Sequence, residues 1–389
     1  MLKVFKKNWV LITLVMLLCA LGLVFIYSAS SYSSLAKYGD EFYFVKKQLF
    51  GLILGIVLMI IMTSFDYHNF EKYKWVIVAV SFILLVLVFI PGIGKSNYGA
   101  NRWITIGGLS LQSSEVAKFA FVIFASTYMA KNYKETKKFI GILPVIIVGG
   151  LTCVLILLEP NLSVTLCVGM VMLIMLVIGG IRLKHFLMLL IPALCLLPIL
   201  IIMEPYRLQR LMAFLDPWAS PKEEGFQLIQ SLYALGSGGL FGVGLFNSRQ
   251  KYLFLPFSES DFIFSIIGEE TGFIGATCVL IVYAIVIWQG IKISLHASDR
   301  LGAYLAAGIT SVIGVQLLIN VAVVTGSIPP TGIPLPFMSA GGTSLMVFLA
   351  AIGILLNVSK GENQITLKNF KAIKFKGLKG IFNKKHASV

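Results

Sequence analysis

Asp261 occupies the last polar position before a long apolar run, in the segment FLPFSESDFIFSIIGEETG. A carboxylate there either caps the helix that follows or serves as a general base where water meets an apolar segment. Glu269 and Glu270 lie about two turns further along the same run. Adjacent acids in that setting more simply satisfy buried polar partners than act as catalysts. Glu115 and Lys118, in QSSEVAKFA, share one helix face at their spacing and can pair. Ser113 or Ser114 can cap that helix, and Glu115 suits its positive end. The pair reads either as a structural ion pair with a capping acid or as part of a site.

Phosphate chemistry would need cations. Arg207 and Arg210 share one helix face just past an apolar run, and guanidinium forks match phosphate oxygens. They could hold a lipid-linked pyrophosphate or simply touch lipid headgroups. Lys95, Arg102, Arg249 and Lys251 are further candidates. The glycine-dense GSGGLFGVG at 236–244 follows no expected strand and lacks the GK[ST] of a phosphate loop.

The composition says what must position these groups. Of 389 residues, 58% are hydrophobic and 13% charged, with a mean hydropathy of +0.90. Soluble domains carry about 25% charged residues, so a soluble enzyme, a disulfide scaffold and a disordered chain are excluded. Apolar runs from Trp9 to Tyr27 and near 43–64, 75–91, 112–130, 139–158, 161–180, 185–203, 262–290, 301–325 and 336–357 suit membrane spans of roughly 20 residues. The first run exceeds the length of a signal peptide and reads as a retained helix. Cys19, Cys153, Cys167, Cys195 and Cys278 lie inside these runs as small buried hydrophobes. The expected fold is an all-α polytopic membrane protein with ten transmembrane helices.

Ten spans put both termini on one side, and 21 of the 32 Lys and Arg fall on segments sharing that side. The positive-inside rule makes it cytoplasmic. Residues 1–359 then form one membrane domain, with a long extracellular loop at 204–261 between spans 7 and 8. That loop is aromatic as well as glycine-rich, which favours an ordered lid or re-entrant structure. Residues 360–389 form a basic cytoplasmic tail suited to anionic lipid headgroups rather than nucleic acid. His68, His185, His296 and His386 all fall inside, so a histidine-based zinc site or triad facing outward is excluded.

Several segments together resemble the SEDS family (shape, elongation, division and sporulation), whose members include FtsW, RodA and SpoVE. They are NRWI at 101–104, SSEVAKF at 113–119, FLDPW at 214–218, GFQLIQSLYALGSGGLFGVGL at 225–245, SDFIFSIIGEETGFIG at 260–275 and TGIPLPFMSAGGTSL at 331–345. The stretch TGSIPPTGIPLPF is closer to division or sporulation members than to the elongation branch, and the chain is most like FtsW. The chain departs from the family at EPNLS (159–163), where a PDLG-like text is usual, at LPFSES and at SAGGTS. No catalysis is assigned to Asn161 or Ser163.

The resemblance implies a ten-span peptidoglycan glycosyltransferase that polymerises lipid II on the outer face of the bacterial cytoplasmic membrane. Its expected setting is the division septum. By position, Asp261 matches the family's essential loop aspartate, and Glu115 and Lys118 match its Glu/Lys pair. Arg102, Arg210 and Lys251 align with basic positions, and Arg207 is a further pyrophosphate candidate. A divalent cation, Mg or Mn, is an open expectation with Glu115 and Asp261 as its candidate ligands; no organic cofactor is expected. Expected partners are lipid II, a class B penicillin-binding protein, other division proteins and membrane lipids. Two rival readings use the same features, a lipid II flippase and a non-catalytic division scaffold.

Overall fold

The computed structural model describes residues 2–91, 94–97, 100–106 and 109–361. A short α1 (Leu2–Lys7) leads into α2 (Trp9–Tyr38), α3 (Tyr43–Ser64) and α4 (Asn69–Leu87). Three strands follow, β1 (Gly94–Asn97), β2 (Ala100–Ile106) and β3 (Leu109–Gln112). Then come α5 (Ser113–Lys131), α6 (Phe139–Leu158), α7 (Leu162–Ile178) and α8 (Leu183–Ile202). The stretch expected as a long loop contains α9 (Pro205–Leu215) and α10 (Phe226–Gly238). The chain closes with α11 (Ile263–His296), α12 (Arg300–Val324) and α13 (Gly342–Val358).

Every expected apolar run contains a helix, most with shifted ends. The first continues to Tyr38, and the last begins at Gly342 because Pro334 and Pro336 keep the chain before it extended. Among the described residues, seven helices are long and apolar enough to cross a membrane. The other three expected spans fall short for local reasons. Helix α4 opens with Glu71, Lys72 and Lys74, α5 carries Glu115 and Lys118, and α7 has 17 residues. Helix α8 is apolar yet buries no residue, so its surroundings must themselves be apolar. Beyond Gly361 the basic tail lies outside the described residues.

The all-α expectation needs one correction. Strands β1, β2 and β3 form an antiparallel sheet in that order. Residues Trp103–Ile106 are all β-branched or aromatic, which favours a strand, and buried Ile104 anchors it. Because β3 runs directly into α5, the sheet fixes Arg102 beside the start of α5.

In lipid, helices associate by close packing rather than by water exclusion, so small residues mark the seams. Helix α13 lies along α3, and a β-carbon on Gly51 would stand 2.7 Å from the Gly342 Cα. One on Gly353 would stand 2.4 Å from the Met59 carbonyl. Helix α12 is buried along most of its length.

Helix α11 is broken at Gly272, which takes φ 67° and ψ −169°. A break at this depth frees backbone groups that must find partners. The segment 239–244 supplies them. Phe273 and Ile274 donate their N–H groups to Gly239 and Leu240 (2.8 and 3.2 Å), and Val243 and Gly244 donate to Glu269 and Glu270 (3.0 and 3.1 Å). A β-carbon on Gly242 would strike the Glu270 carbonyl at 2.1 Å. The glycine-dense motif is therefore a backbone insert into a broken helix. It packs the segment that follows α10 against α11.

Candidate active site

The site is built on a segment that makes few hydrogen bonds of its own, Ile333 N to the Thr331 carbonyl (3.2 Å) being one. Residues 328–336 (IPPTGIPLP) hold four prolines, which lack the N–H of a helix or strand. Their carbonyls still need donors. Arg210 Nη1 serves Pro330 (3.2 Å), Gln316 Nε2 serves Pro334 (2.9 Å) and the Tyr283 hydroxyl serves Pro336. The Ser339 hydroxyl accepts from Leu335 N (2.7 Å) and donates to the Ser260 carbonyl (2.6 Å), and Ala340 N donates to the Glu259 carbonyl (2.8 Å). Gln48 of α3 braces the far end, donating to the Ser339 carbonyl and accepting from Gly341 N, both at 3.0 Å.

Asp261 rests on this floor. Asn320 Nδ2 donates to its backbone carbonyl (2.8 Å) and to that of Ile333 (2.7 Å). The carboxylate itself is half-buried, and no donor among the described residues hydrogen-bonds it. Burial and the neighbouring Glu259 push it up to about 6, against the opposing pull of Arg102 and Arg210. It is a carboxylate held by its backbone, within electrostatic reach of two guanidinium groups.

Arg102 reaches the site from β2. Its Nε donates to the Glu159 carbonyl (3.2 Å) and its Nη2 to the Pro160 carbonyl. Glu159 accepts from Ser113 Oγ (2.8 Å) on one oxygen, while the other is buried without a partner among the described residues. Burial pushes Glu159 up to about 8, against the smaller effects of Ser113 and Arg102. Arg210 comes from α9, its guanidinium 4.5 Å from the centre of the Tyr206 ring.

Lys118 and Glu115 form a buried pair at 2.7 Å, 2% and 0% exposed. Lys118 also donates to Gln316 Oε1 (2.5 Å), and Ser344 donates to Glu115 Oε2 (3.0 Å). Both oxygens of Glu115 are thus engaged. Among the described residues, no three His, Cys, Asp or Glu side chains cluster together.

Asp261, Arg102 and Arg210 therefore come together, and Glu115 and Lys118 join them through Gln316 and Pro334. Two other candidates stand elsewhere. Arg207 turns back to donate to the Leu200 carbonyl (2.9 Å). Lys251 is buried, donates to the Phe246 carbonyl and lies 3.9 Å from Glu270. Glu269 and Glu270 satisfy buried donors, as adjacent acids in a span should: Glu269 accepts from Arg249 N (2.9 Å), and Glu270 from Ser248 N (3.3 Å) and from Ser28 Oγ of α2 (2.5 Å). Asn161 caps α7 through Val164 N (3.3 Å).

Sequence reasoning did not single out Gln316, Asn320, Gly332 or Glu159. Polar residues inside the apolar run of α12 were the available signal for the first two.

The family model described as "Cell cycle protein", which spans FtsW, RodA and SpoVE, matches residues 8–364. The chain is 41% identical over 357 residues to stage V sporulation protein E of Bacillus subtilis, covering 91% of this chain and 97% of that one. It is 39% identical over 355 residues to a probable peptidoglycan glycosyltransferase FtsW of Geobacter metallireducens, covering 91% and 95%. Among solved structures it resembles a chain from a study of polymerization and crosslinking by a peptidoglycan synthase complex, with a TM-score of 0.75 and 26% identity over 92% of this chain and 98% of that one. It shares its fold with the rod shape determining protein RodA of Thermus thermophilus, with a TM-score of 0.68 and 24% identity over 92% and 97%. With a match along nearly its whole length, the chain belongs to the FtsW/RodA/SpoVE family of cell cycle proteins.

Proposed function

We propose that this protein is a peptidoglycan glycosyltransferase that polymerises lipid II on the outer face of the bacterial cytoplasmic membrane. Relatives that carry the name peptidoglycan glycosyltransferase and match along almost the full chain support the activity. One observation carries the assignment of the site: the Asp261 carboxylate has no hydrogen-bond donor among the described residues, is half-buried, and feels the charges of Arg102 and Arg210.

The reaction uses those groups directly. The acceptor sugar's 4-hydroxyl attacks the donor's anomeric carbon, and Asp261 takes the hydroxyl proton as the carbon–oxygen bond forms. The bond from that carbon to the pyrophosphate breaks on the opposite face, inverting the centre and releasing undecaprenyl pyrophosphate. This leaving group departs as an anion, so it needs positive charge rather than a proton. Arg102 and Arg210 supply that charge. Lys118 and Glu115 act from below, holding the proline segment through Gln316. A Mg or Mn ion would be held by Asp261 and supply further positive charge to the pyrophosphate, since Glu115 is already engaged.

In the same reading the ten helices α2–α8 and α11–α13 all span the membrane, with both termini cytoplasmic and 204–261 outside. The site of action is the division or sporulation septum. A class B penicillin-binding protein crosslinks the product, beside other division proteins. The test is glycan polymerisation by purified protein with lipid II and a divalent cation, with and without the cognate penicillin-binding protein. Chains from wild type and none from Asp261→Asn are expected. Failure of folded, lipid II-binding wild type under both conditions would overturn the proposal in favour of transport or scaffolding.

A further inference from the structure

We infer that Gln316 and Asn320, two buried amides on α12, are positioning residues that set Lys118 and Asp261 in one frame through the carbonyls of Ile333 and Pro334. Four residues apart on a helix, they share a face one above the other. Gln316 accepts from Lys118 Nζ (2.5 Å) and donates to Pro334 O (2.9 Å). Asn320 donates to Ile333 O (2.7 Å) and to Asp261 O (2.8 Å). The two carbonyls are neighbours in the chain, so the amides grip one peptide segment from one rigid helix. Through it the buried ion pair of α5 is tied to the loop aspartate that precedes α11.

The chemistry of the amides favours this over a packing role. Both side chains are buried, at 0% and 1% exposure, and an apolar residue of the same volume would fill the space without needing partners. Asn320 also leaves its Oδ1 buried with no partner among the described residues. Turning the amide over would not help, because it would set that oxygen against two carbonyls. Asn320 therefore bears an unmet acceptor in order to place one amino group on Ile333 and Asp261. Gln316 is matched to its place at both ends: its amide oxygen accepts from an ammonium while its amide nitrogen donates to a carbonyl.

The inference rests on the proposed polymerase activity, and wild-type chain formation is the baseline against which it is read. Isosteric Gln316→Met and Asn320→Leu remove the hydrogen bonds and keep the volume. Lipid II polymerisation is measured across pH 5–8, alongside apparent melting and elution as a single species. The expected result is a kcat lowered at least tenfold by either change, with KM for lipid II within about twofold, since Arg102 and Arg210 are untouched.

Gln316→Asn is a milder arm, keeping the amide but one methylene short of spanning Lys118 and Pro334, and it too should lower kcat. Near-normal kcat in these variants, or losses of kcat that only track the fraction of folded protein, would overturn the inference. Inactive wild type would instead sink the polymerase reading.

Discussion

Gly332 lies so close to Asp261 that a β-carbon built on it would stand 2.9 Å from Asp261 Oδ2. The proline segment therefore reaches the carboxylate with bare backbone, and Asp261 has room only because residue 332 has no side chain. Gly332→Ala should cut polymerisation at least tenfold while moving the apparent melting temperature by no more than a few degrees. Activity and melting measured on one preparation check this, and wild-type activity in the variant would refute the close approach.

The carboxylate must be ionised to accept a proton, and burial with Glu259 holds it up to about 6. Activity should therefore fall as pH drops through about 6, rather than near the ordinary carboxylate value of about 4. Arg102 and Arg210 pull in the other direction, so removing Arg210 should raise the limb. A pH–rate profile of wild type and Arg210→Ala reads both effects, and a limb below 5 in wild type would contradict the placement of Asp261.

The arginines should separate by position. Arg210 faces Asp261, whereas Arg207 bonds back to Leu200. Arg210→Ala is expected to lower kcat/KM at least tenfold and Arg207→Ala less than threefold. Equal losses would show that both cations reach the pyrophosphate.

Breaking the Lys118–Glu115 pair one side at a time leaves a buried charge or a buried donor without its partner. Such changes typically cost about 3–5 kcal/mol. Glu115→Gln and Lys118→Met should each lower stability sharply. The double variant should recover much of that stability, because neither charge is then stranded, yet stay inactive. Melting and polymerisation of the three variants decide it; recovery of activity with stability would leave the pair a structural role only.

At the other end of α3, His68 bonds Asp66 through Nδ1 and Asp299 through Nε2, both at 2.7 Å, tying the α3–α4 turn to the α11–α12 turn. Burial alone would lower the imidazole, but its hydrogen bonds to both carboxylates outweigh that and raise it above 6.5. Hydrogen bonds from His68 lower Asp66. The histidine's contribution is fully present below pH 6.5 and lost as pH rises through its raised value. That of Asp66 is present above 3.8 and lost as pH falls through its lowered value. The difference in melting temperature between wild type and His68→Gln should thus be largest near pH 5–6 and shrink towards pH 9. A constant difference would mean that the link does not depend on the proton.

The helices were legible in the sequence because an apolar run of about 20 residues is a local property, whatever its neighbours. The runs at 43–64 and 139–158 coincide with α3 and α6. Resemblance, not spacing, singled out Asp261, and the Glu115–Lys118 pairing follows from helical geometry alone. The sheet at 94–112 was missed because short strands announce themselves weakly beside long apolar helices. The glycine motif at 236–244 could not be read at all, since its purpose depends on a break at Gly272 some thirty residues away.

Tertiary structure alone decided which cations meet Asp261. Helices that are apolar on nearly every side carry no periodic signal to fix their rotation, so sequence cannot say which polar residue faces inward. Arg102, Arg210, Gln316 and Asn320 come from a strand and two helices far apart in the chain. They converge because a proline-rich segment, short of backbone donors of its own, takes them from whichever side chains the packed helices bring near.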